Sequence, residues 1–187
     1  MFGGGDAGPS SGAASNARRE EAMHEAIFCL LARYEALGGH GYQAALPEAC
    51  FGVLREHFEC TFECFASPLN SHFARFCSAF PDVDAAFGSC GSFFDQAFEE
   101  GSYEVNPVFV PEVLDAAVQH VLALLRASAR PLSFTLIVPA WPETRAFATL
   151  HGDASADVRR WSLRLPQPAH GYCDGGWGTV RRRQPGD

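Results

Sequence analysis

The sequence predicts an α/β fold in which a sheet follows a small helical region. Near the amino terminus, apolar residues recur at helical spacing in two stretches. Farther along, short β-prone runs alternate with further helical patterns, and each run ends in a loop rich in Gly, Pro, Ser or Asn. Strands separated by helices in this way are typical of α/β domains. The chain has 187 residues, enough to bury most of its apolar surface in one core.

The composition indicates a folded protein and counts against two classes of partner. Hydrophobic residues make up 47% of the chain and charged residues 19%, a balance that a disordered segment would not have. All 14 basic residues are arginines and the formal net charge is −8, which counts against a broad nucleic-acid-coating surface. No apolar run approaches the ~20 residues that span a bilayer, so we expect no membrane partner. The amino-terminal stretch lacks the apolar core of a signal peptide, so we expect an intracellular protein.

The cysteines indicate a reducing compartment and no metal centre. Seven cysteines are present, an odd number, and no two form a Cys-x-x-Cys pair. The residues closest to metal-ligand spacing are His57, Cys60 and Cys64, but no matching second pair follows them. We therefore expect buried, reduced thiols and no bound metal.

The apolar patterns also give the order of the predicted elements. A first amphipathic helix runs from Arg18 to Leu37, and a second begins at Pro47, a favoured first-turn residue. The segment 132–138 is apolar almost throughout, as a central parallel strand would be. The other predicted strands are 61–66, 102–105 and an edge strand over 158–165, and the other predicted helices are 69–80 and one that begins at Pro111.

Three loops are candidates for a common ligand site. They are Ser67–Asn70, Gly88–Gly91 and Asn106–Phe109, and each is rich in residues that turn the chain. In open α/β sheets, ligands bind outside the carboxyl ends of the strands. We therefore expect the three loops to meet at one edge of the sheet.

The last of these loops has the residue types needed to hold a flat nitrogen heterocycle. The lone pair of an exocyclic amine such as N6 of adenine is delocalised into the ring, so an enzyme has to localise it. The side-chain oxygen of Asn106 can accept one N6 hydrogen bond and the carbonyl of Pro107 another, while Phe109 stacks on the base. The alternative is that Asn106 and Pro107 make an ordinary turn and Phe109 is a core residue.

Four ordered motifs resemble one known family. They are ECFASPLN (63–70), FCSAFPDVDAAFGSCGSFFD (76–95), GSYEVNPVF (101–109) and PLSFTLIVPAW (131–141). Together with the stretch 39–54 upstream, they are similar to the phosphorylated-CTD-interacting factor family, the cap-specific adenosine N6-methyltransferases. The resemblance extends from about Leu30 to about Tyr172.

The resemblance implies a fold, a reaction and a cofactor. The fold is a Rossmann-like methyltransferase sheet preceded by a small helical region, with residues 1–17 as a disordered linker or end, 18–58 helical, 59–178 the catalytic core and 179–187 a basic tail. The reaction is transfer of a methyl group from S-adenosylmethionine to N6 of the 2′-O-methyladenosine next to the cap of mRNA. No metal takes part, and the family's location is nuclear.

The resemblance also assigns roles to individual residues. Asn106, Pro107 and Phe109 fall on the family's Asn-Pro-Pro-Phe motif and inherit the target-adenine role. The candidates for binding S-adenosylmethionine are Ser67, Pro68, Asn70, Gly88, Ser89 and Gly91.

Two departures from the family pattern leave alternative functions open. Val108 replaces the second proline of the motif, so the extended conformation of Pro107 is no longer enforced. We also expect that the family's long amino-terminal region, whose WW module contacts the phosphorylated tail of RNA polymerase II in animal members, has no counterpart in this sequence. A weak or inactive relative that binds RNA or protein is therefore one alternative. A methyltransferase acting on glutamine or DNA adenine is another, because such enzymes also use Asn-Pro-Pro-aromatic motifs.

Overall fold

The computed structural model describes residues 11–36, 44–166 and 169–174, which fall into two compact units. The first unit, Met1–Gly39, contains helix α1 (Ser11–Ala36). Alanine, arginine and glutamate, all good helix formers, fill most of α1. The predicted first helix is confirmed, although it begins before Arg18 and extends into the stretch predicted to be a linker. Its predicted end at Leu37 lies outside the described residues.

The second unit, His40–Asp187, begins with a short strand and a helix. Strand β1 (Ala44–Ala45) precedes helix α2 (Glu48–Phe58), which confirms the helix predicted from Pro47. The apolar side of α2 forms a core cluster made of Phe51, Leu54, Cys60 and Phe73. By its contacts, α2 belongs with the sheet that follows, while the functional domain boundaries remain a prediction.

A small parallel sheet lies at the centre of the second unit. Strand β2 (Gly101–Val105) pairs in parallel with β3 (Leu132–Leu136), and helix α4 (Pro111–Ala127) makes the crossover between them. The crossover helix packs its apolar side on the sheet, where Val121 joins the core cluster around Val105. These two strands and the helix from Pro111 are confirmed, and β3 ends two residues earlier than predicted.

Isolated parallel bridges extend this sheet by three segments. Glu63 pairs with Glu104 of β2 and with Phe76, and Phe76 pairs in turn with Ser89. Read across the sheet, the paired residues are Ser89, Phe76, Glu63, Glu104 and Thr135. When the five segments are numbered in chain order, their order across the sheet is 3-2-1-4-5. Doubly wound dinucleotide-binding sheets begin with the same order. The protein is thus an α/β protein with a small parallel sheet, and the complete Rossmann-like methyltransferase fold remains a prediction.

Three predicted elements are wrong. The segment 61–66 is not a continuous strand, because it joins the sheet only through bridges at Glu63. The segment 69–80 is not a helix, and helix α3 (Pro81–Asp84) begins where that helix was expected to end. Its apolar residues mimic helical spacing because they serve two different clusters: Phe73 packs with α2 and Cys77 packs in the sheet core.

The third wrong prediction is the edge strand over 158–165. This segment forms no strand, and the three apolar residues whose alternation suggested it are exposed: Trp161, Leu163 and Leu165. The sequence patterns also missed short elements, β1 among them. Helix α5 (Arg145–His151) is capped by the Thr144 side chain, and β4 (Cys173–Asp174) pairs antiparallel with β1. None of the helices in the described ranges is long and apolar enough to span a bilayer.

Candidate functional site

The two faces of the parallel sheet differ in polarity. Side chains alternate along a strand, and directly paired residues point to the same face. Cys64, Cys77 and Val105 lie in the apolar cluster that meets α4. Glu63 and Glu104 pair with one another and occupy the opposite face. Asn106 follows two residues after Glu104, so the Asn-Pro turn leaves the sheet from the polar face.

A backbone carbonyl fixes the side-chain amide of Asn106. Its Nδ2 donates a hydrogen bond of 3.1 Å to the carbonyl oxygen of Ala44. Ala44 belongs to β1, which is itself held by antiparallel pairing with Cys173 and Asp174 in β4. With Nδ2 engaged in this way, Oδ1 is the remaining acceptor of the amide. Asn106 therefore presents an oriented acceptor, as contact with an amine requires.

Phe109 is half-buried and already has aromatic neighbours. Its ring meets Trp141 at 6.3 Å and Tyr172 at 5.7 Å between centroids, both nearly perpendicular. It also packs against the core cluster formed by α4 and α5. Pro107 is buried, and the Val108 carbonyl accepts a 2.7 Å hydrogen bond from the amide of Val110, which leads into α4. Phe109 thus contributes to packing of the core, in addition to any contact that its ring makes with a ligand.

The Ser67–Asn70 loop is a turn closed by its own hydrogen bonds. Oδ1 of Asn70 accepts from the Ser67 amide at 2.7 Å and lies 3.1 Å from the Ser67 hydroxyl oxygen. The Ser67 carbonyl accepts from the amides of Asn70 and Ser71. Pro68 occupies the second position of this turn, where its fixed φ fits. The turn is therefore preformed.

The two glycines of the second candidate loop have different surroundings. Both have positive φ, 105° at Gly88 and 93° at Gly91. A Cβ at Gly88 would lie 2.4 Å from the carbonyl oxygen of Ala74, so this glycine allows two backbone segments to approach. A Cβ at Gly91 would meet only Gln96 Nε2, at 3.8 Å. Packing against the chain itself accounts for Gly88, whereas a Cβ at Gly91 would make only an ordinary van der Waals contact with Gln96.

Two of the candidate loops follow parallel segments of the sheet, Ser67–Asn70 after the segment at Glu63 and Asn106–Phe109 after β2. The third, Gly88–Gly91, contains Ser89, which pairs with Phe76 and so belongs to the sheet. Segment 76–78 runs between this third loop and the Ser67–Asn70 turn. Its Cys77 carbonyl accepts from the amide of Ala66, just before Ser67, and its Ser78 amide donates to the carbonyl of Gly91. The Ser78 and Ser89 hydroxyls are 2.6 Å apart. Asn106 leaves the sheet on the other side of Glu63.

A cleft of about 280 Å³ opens beside the Ser67–Asn70 turn. One wall is formed by Asn70, Ser71 and His72, and the other includes Ala45 and Phe51. The His72 ring stacks on Phe51 with 4.4 Å between centroids and an interplanar angle of 4°. Ala45 follows the residue that binds Asn106, so the cleft starts next to the Asn-Pro turn. Asn70 is the predicted site residue that lines this cleft.

Two buried carboxyl groups were not predicted as part of the site. Oε2 of Glu63 accepts hydrogen bonds of 2.8 Å from the amides of both His72 and Phe73. Burial raises the pKa of Glu63, and these two bonds oppose the rise. Glu104 is 1% exposed, and its Oε2 accepts no hydrogen bond within the described part of the chain. Burial is the larger cause, and the nearby Glu63 the smaller one, that raises the pKa of Glu104 well above its usual value.

A signal for these carboxyls was present in the sequence. Each is a single glutamate within an apolar, β-prone run, FEC at 62–64 and YEV at 103–105. A charged residue is rarely fully buried unless it is paired, so such a glutamate in a buried strand is informative. The neighbouring thiols are also buried, and burial raises the pKa of Cys60 to about 11 and that of Cys77 to about 12.

A metal centre and an unpaired cation are two further features that a ligand site could use. Within 11–36, 44–166 and 169–174, no three or more His, Cys, Asp or Glu side chains are grouped as metal ligands. Two arginines on the carboxyl side of the sheet have structural partners. Arg145 lies 3.7 Å from Asp115, and the Arg159 guanidinium donates to the carbonyl of Leu150.

Comparison with known proteins identifies the family. The family model described as "Phosphorylated CTD interacting factor 1 WW domain" matches residues 10–175, which include every helix and strand described above. Under that description, the expectation that the family's WW region has no counterpart in this sequence is not confirmed. Relatives from Mus musculus and Homo sapiens, both named mRNA (2'-O-methyladenosine-N(6)-)-methyltransferase, are each 43% identical over 155 residues. The match covers 80% of this chain but 22% of each relative. The chain belongs to the phosphorylated CTD-interacting factor family.

Proposed function

We propose that this chain takes part in S-adenosylmethionine-dependent N6-methylation of the cap-adjacent 2′-O-methyladenosine of mRNA. The observation that carries the proposal is the oriented amide of Asn106, whose Nδ2 is held by Ala44 and whose Oδ1 remains an acceptor. The names of the two relatives supply the reaction class. Because the chain spans 22% of those relatives, the activity, substrate and partners of a whole protein are part of the proposal.

In this proposal the Asn-Pro turn holds the target base. Oδ1 of Asn106 accepts one hydrogen from N6, the Pro107 carbonyl accepts the other, and the ring of Phe109 fixes the plane of the base. These bonds draw electron density onto N6 as a methyl group approaches. The nitrogen becomes cationic on methylation and then loses a proton to solvent, so no strong base is needed.

Some of the residues predicted to bind the cofactor have surroundings that fit this role. S-adenosylmethionine supplies an electrophilic methyl group when bound. The uncrowded backbone at Gly91, the preformed Ser67–Asn70 turn and the Ser89 hydroxyl would hold it. Pro68 would shape the turn, whereas Gly88 is reassigned to packing against Ala74.

The partners and location belong to the same proposal. Capped mRNA is the proposed substrate, and contact with the phosphorylated tail of RNA polymerase II rests on membership of the family. A nuclear location is proposed on the same ground.

A second function is favoured by one observation. Phe109 packs on Trp141 and Tyr172, and Val108 stands where the family motif has proline. A chain that used these residues only for packing would serve as an RNA- or protein-binding module.

The proposal is tested by mixing the purified chain with S-adenosylmethionine and a short RNA that starts with a 7-methylguanosine cap and 2′-O-methyladenosine. The same RNA without a cap is the control. N6-methylation detected by mass spectrometry on the capped RNA alone is the expected result. Absence of product on both RNAs, from protein shown to be folded, would favour the binding module.

A further inference from the structure

Glu63 lies at the start of the loop that contains the Ser67–Asn70 turn, and its side chain binds the backbone at the end of that loop. The chain leaves the sheet at Glu63, which pairs with Phe76 and Glu104. Ten residues later it returns to the same residue, because the amide of Phe73 donates to Glu63 Oε2, as does that of His72. A single buried side chain therefore closes the loop 63–73.

A buried carboxylate closes a loop only at a cost in desolvation free energy. Glu63 is 3% exposed, and burying its charge is unfavourable unless hydrogen bonds compensate. Its neighbour on the sheet is a second carboxyl, Glu104, so the two groups also repel one another when both are ionised. The two 2.8 Å bonds to Oε2 are of the strong, charge-assisted kind. Such a contact fixes a backbone position more firmly than a neutral side chain would.

The fixed backbone forms a wall of the cleft. His72 and the preceding Asn70 and Ser71 line it, and the His72 ring stacks on Phe51 opposite. If the two amides were released, this wall and the turn before it would lose their anchor to the sheet. The geometry of the predicted cofactor loop thus depends on a residue that does not belong to it.

We infer that Glu63 is a positioning residue that holds the Ser67–Asn70 turn and the His72 wall in the conformation that binds the cofactor. This inference rests on the proposed function, since it assumes that the loop binds S-adenosylmethionine. Glu63 would act through the backbone of the loop without touching the ligand. Its removal should therefore weaken cofactor binding and leave the chemistry of the Asn-Pro turn unaffected.

The test uses the full chain with three forms of residue 63. In Glu63→Ala, the affinity for S-adenosylhomocysteine, measured by isothermal titration calorimetry, should fall about tenfold, as expected for loss of a charge-assisted hydrogen bond. Glu63→Gln keeps an oxygen that both amides can reach, so the loss should be only about twofold to threefold. Glu56→Gln, an exposed position on α2, is the matched control and should bind like the wild type.

A second readout requires no ligand. Hydrogen exchange at the amides of His72 and Phe73 should be faster in Glu63→Ala and close to wild type in Glu63→Gln. If Glu63→Ala does not fold, Glu63→Asp, which withdraws the oxygen by one methylene, should weaken binding in the same direction. In steady-state assays the KM for S-adenosylmethionine should rise while kcat is retained.

The outcomes separate the inference from the proposed function. Unchanged affinity in a folded Glu63→Ala or Glu63→Asp variant would overturn the inference, and so would unchanged amide exchange. A wild-type chain that binds no S-adenosylhomocysteine would instead overturn the cofactor assignment, while the exchange experiment would still report on the anchor.

Discussion

The side-chain amide of Asn106 donates a hydrogen bond to the carbonyl of Ala44, sixty-two residues earlier in the chain. Ala44 is held in turn by β4, and the residue before β4, Tyr172, packs on the ring of Phe109. The short antiparallel pair of β1 and β4 therefore supports two of the three residues of the Asn-Pro-x-Phe turn. Neither strand is visible as a pattern in the sequence.

The proline that the family motif has at position 108 can be restored. In Val108→Pro, Pro107 should be confined to the extended conformation, and the Val108 carbonyl that accepts from Val110 is retained. We expect methyl transfer to rise about twofold to fivefold, because a preorganised carbonyl loses less entropy in the reaction. Single-turnover kinetics on capped RNA measure the change, with Val108→Ala as the control. A decrease in Val108→Pro would mean that the present turn is already the productive one.

The two glycines should differ in their effect on stability. Alanine at Gly88 clashes with the Ala74 carbonyl and is strained at φ 105°, so the free energy of unfolding should fall by roughly 3 kcal/mol or more. Alanine at Gly91 is strained at φ 93° but has space, so the loss should be about 1 kcal/mol. Urea denaturation measures both. Equal losses would contradict the different roles given to these glycines.

The buried carboxyl of Glu104 should make stability fall as pH rises. Its folded-state pKa is raised above the ordinary value of 4.5, so the folded protein holds a proton that the unfolded chain releases. The free energy of unfolding should therefore decrease from about pH 5 upward until the folded-state pKa is passed. Glu104→Gln should flatten this slope, although the raised pKa of Glu63 leaves part of it.

Urea denaturation at a series of pH values measures that slope. The exposed variant Glu56→Gln should keep the wild-type slope. A Glu104→Gln slope equal to that of the wild type would show that Glu104 ionises in the folded protein as it does in the unfolded chain.

Elements that form one continuous helix or strand were predictable from the sequence. The helix from Pro111 and the strand from Leu132 turn their apolar residues to the core along their whole length, and their apolar patterns reflect this. In segment 69–80 the apolar residues belong to two separate clusters, so their spacing imitated a helix. In 158–165 the alternation is present, but no strand pairs with it.

The site was predictable in its residue types but not in its supports. Asn106, Pro107 and Phe109 were found from the chemistry of their side chains and from the family motif. Their roles remain predictions. The single glutamate in an apolar run marks Glu63 as unusual, but its bond to the Phe73 amide, like that of Asn106 to the Ala44 carbonyl, joins separate parts of the chain and is not encoded by a local pattern.

The most direct test of the central claim is methyl transfer by Asn106→Ala. Loss of the oriented acceptor should lower the single-turnover rate on capped RNA by about a hundredfold or more, as removal of a comparable preorganised group does elsewhere. Binding of S-adenosylhomocysteine should stay close to that of the wild type, which shows that the fold is intact. A rate equal to that of the wild type would contradict the assignment of Asn106 to the target adenine.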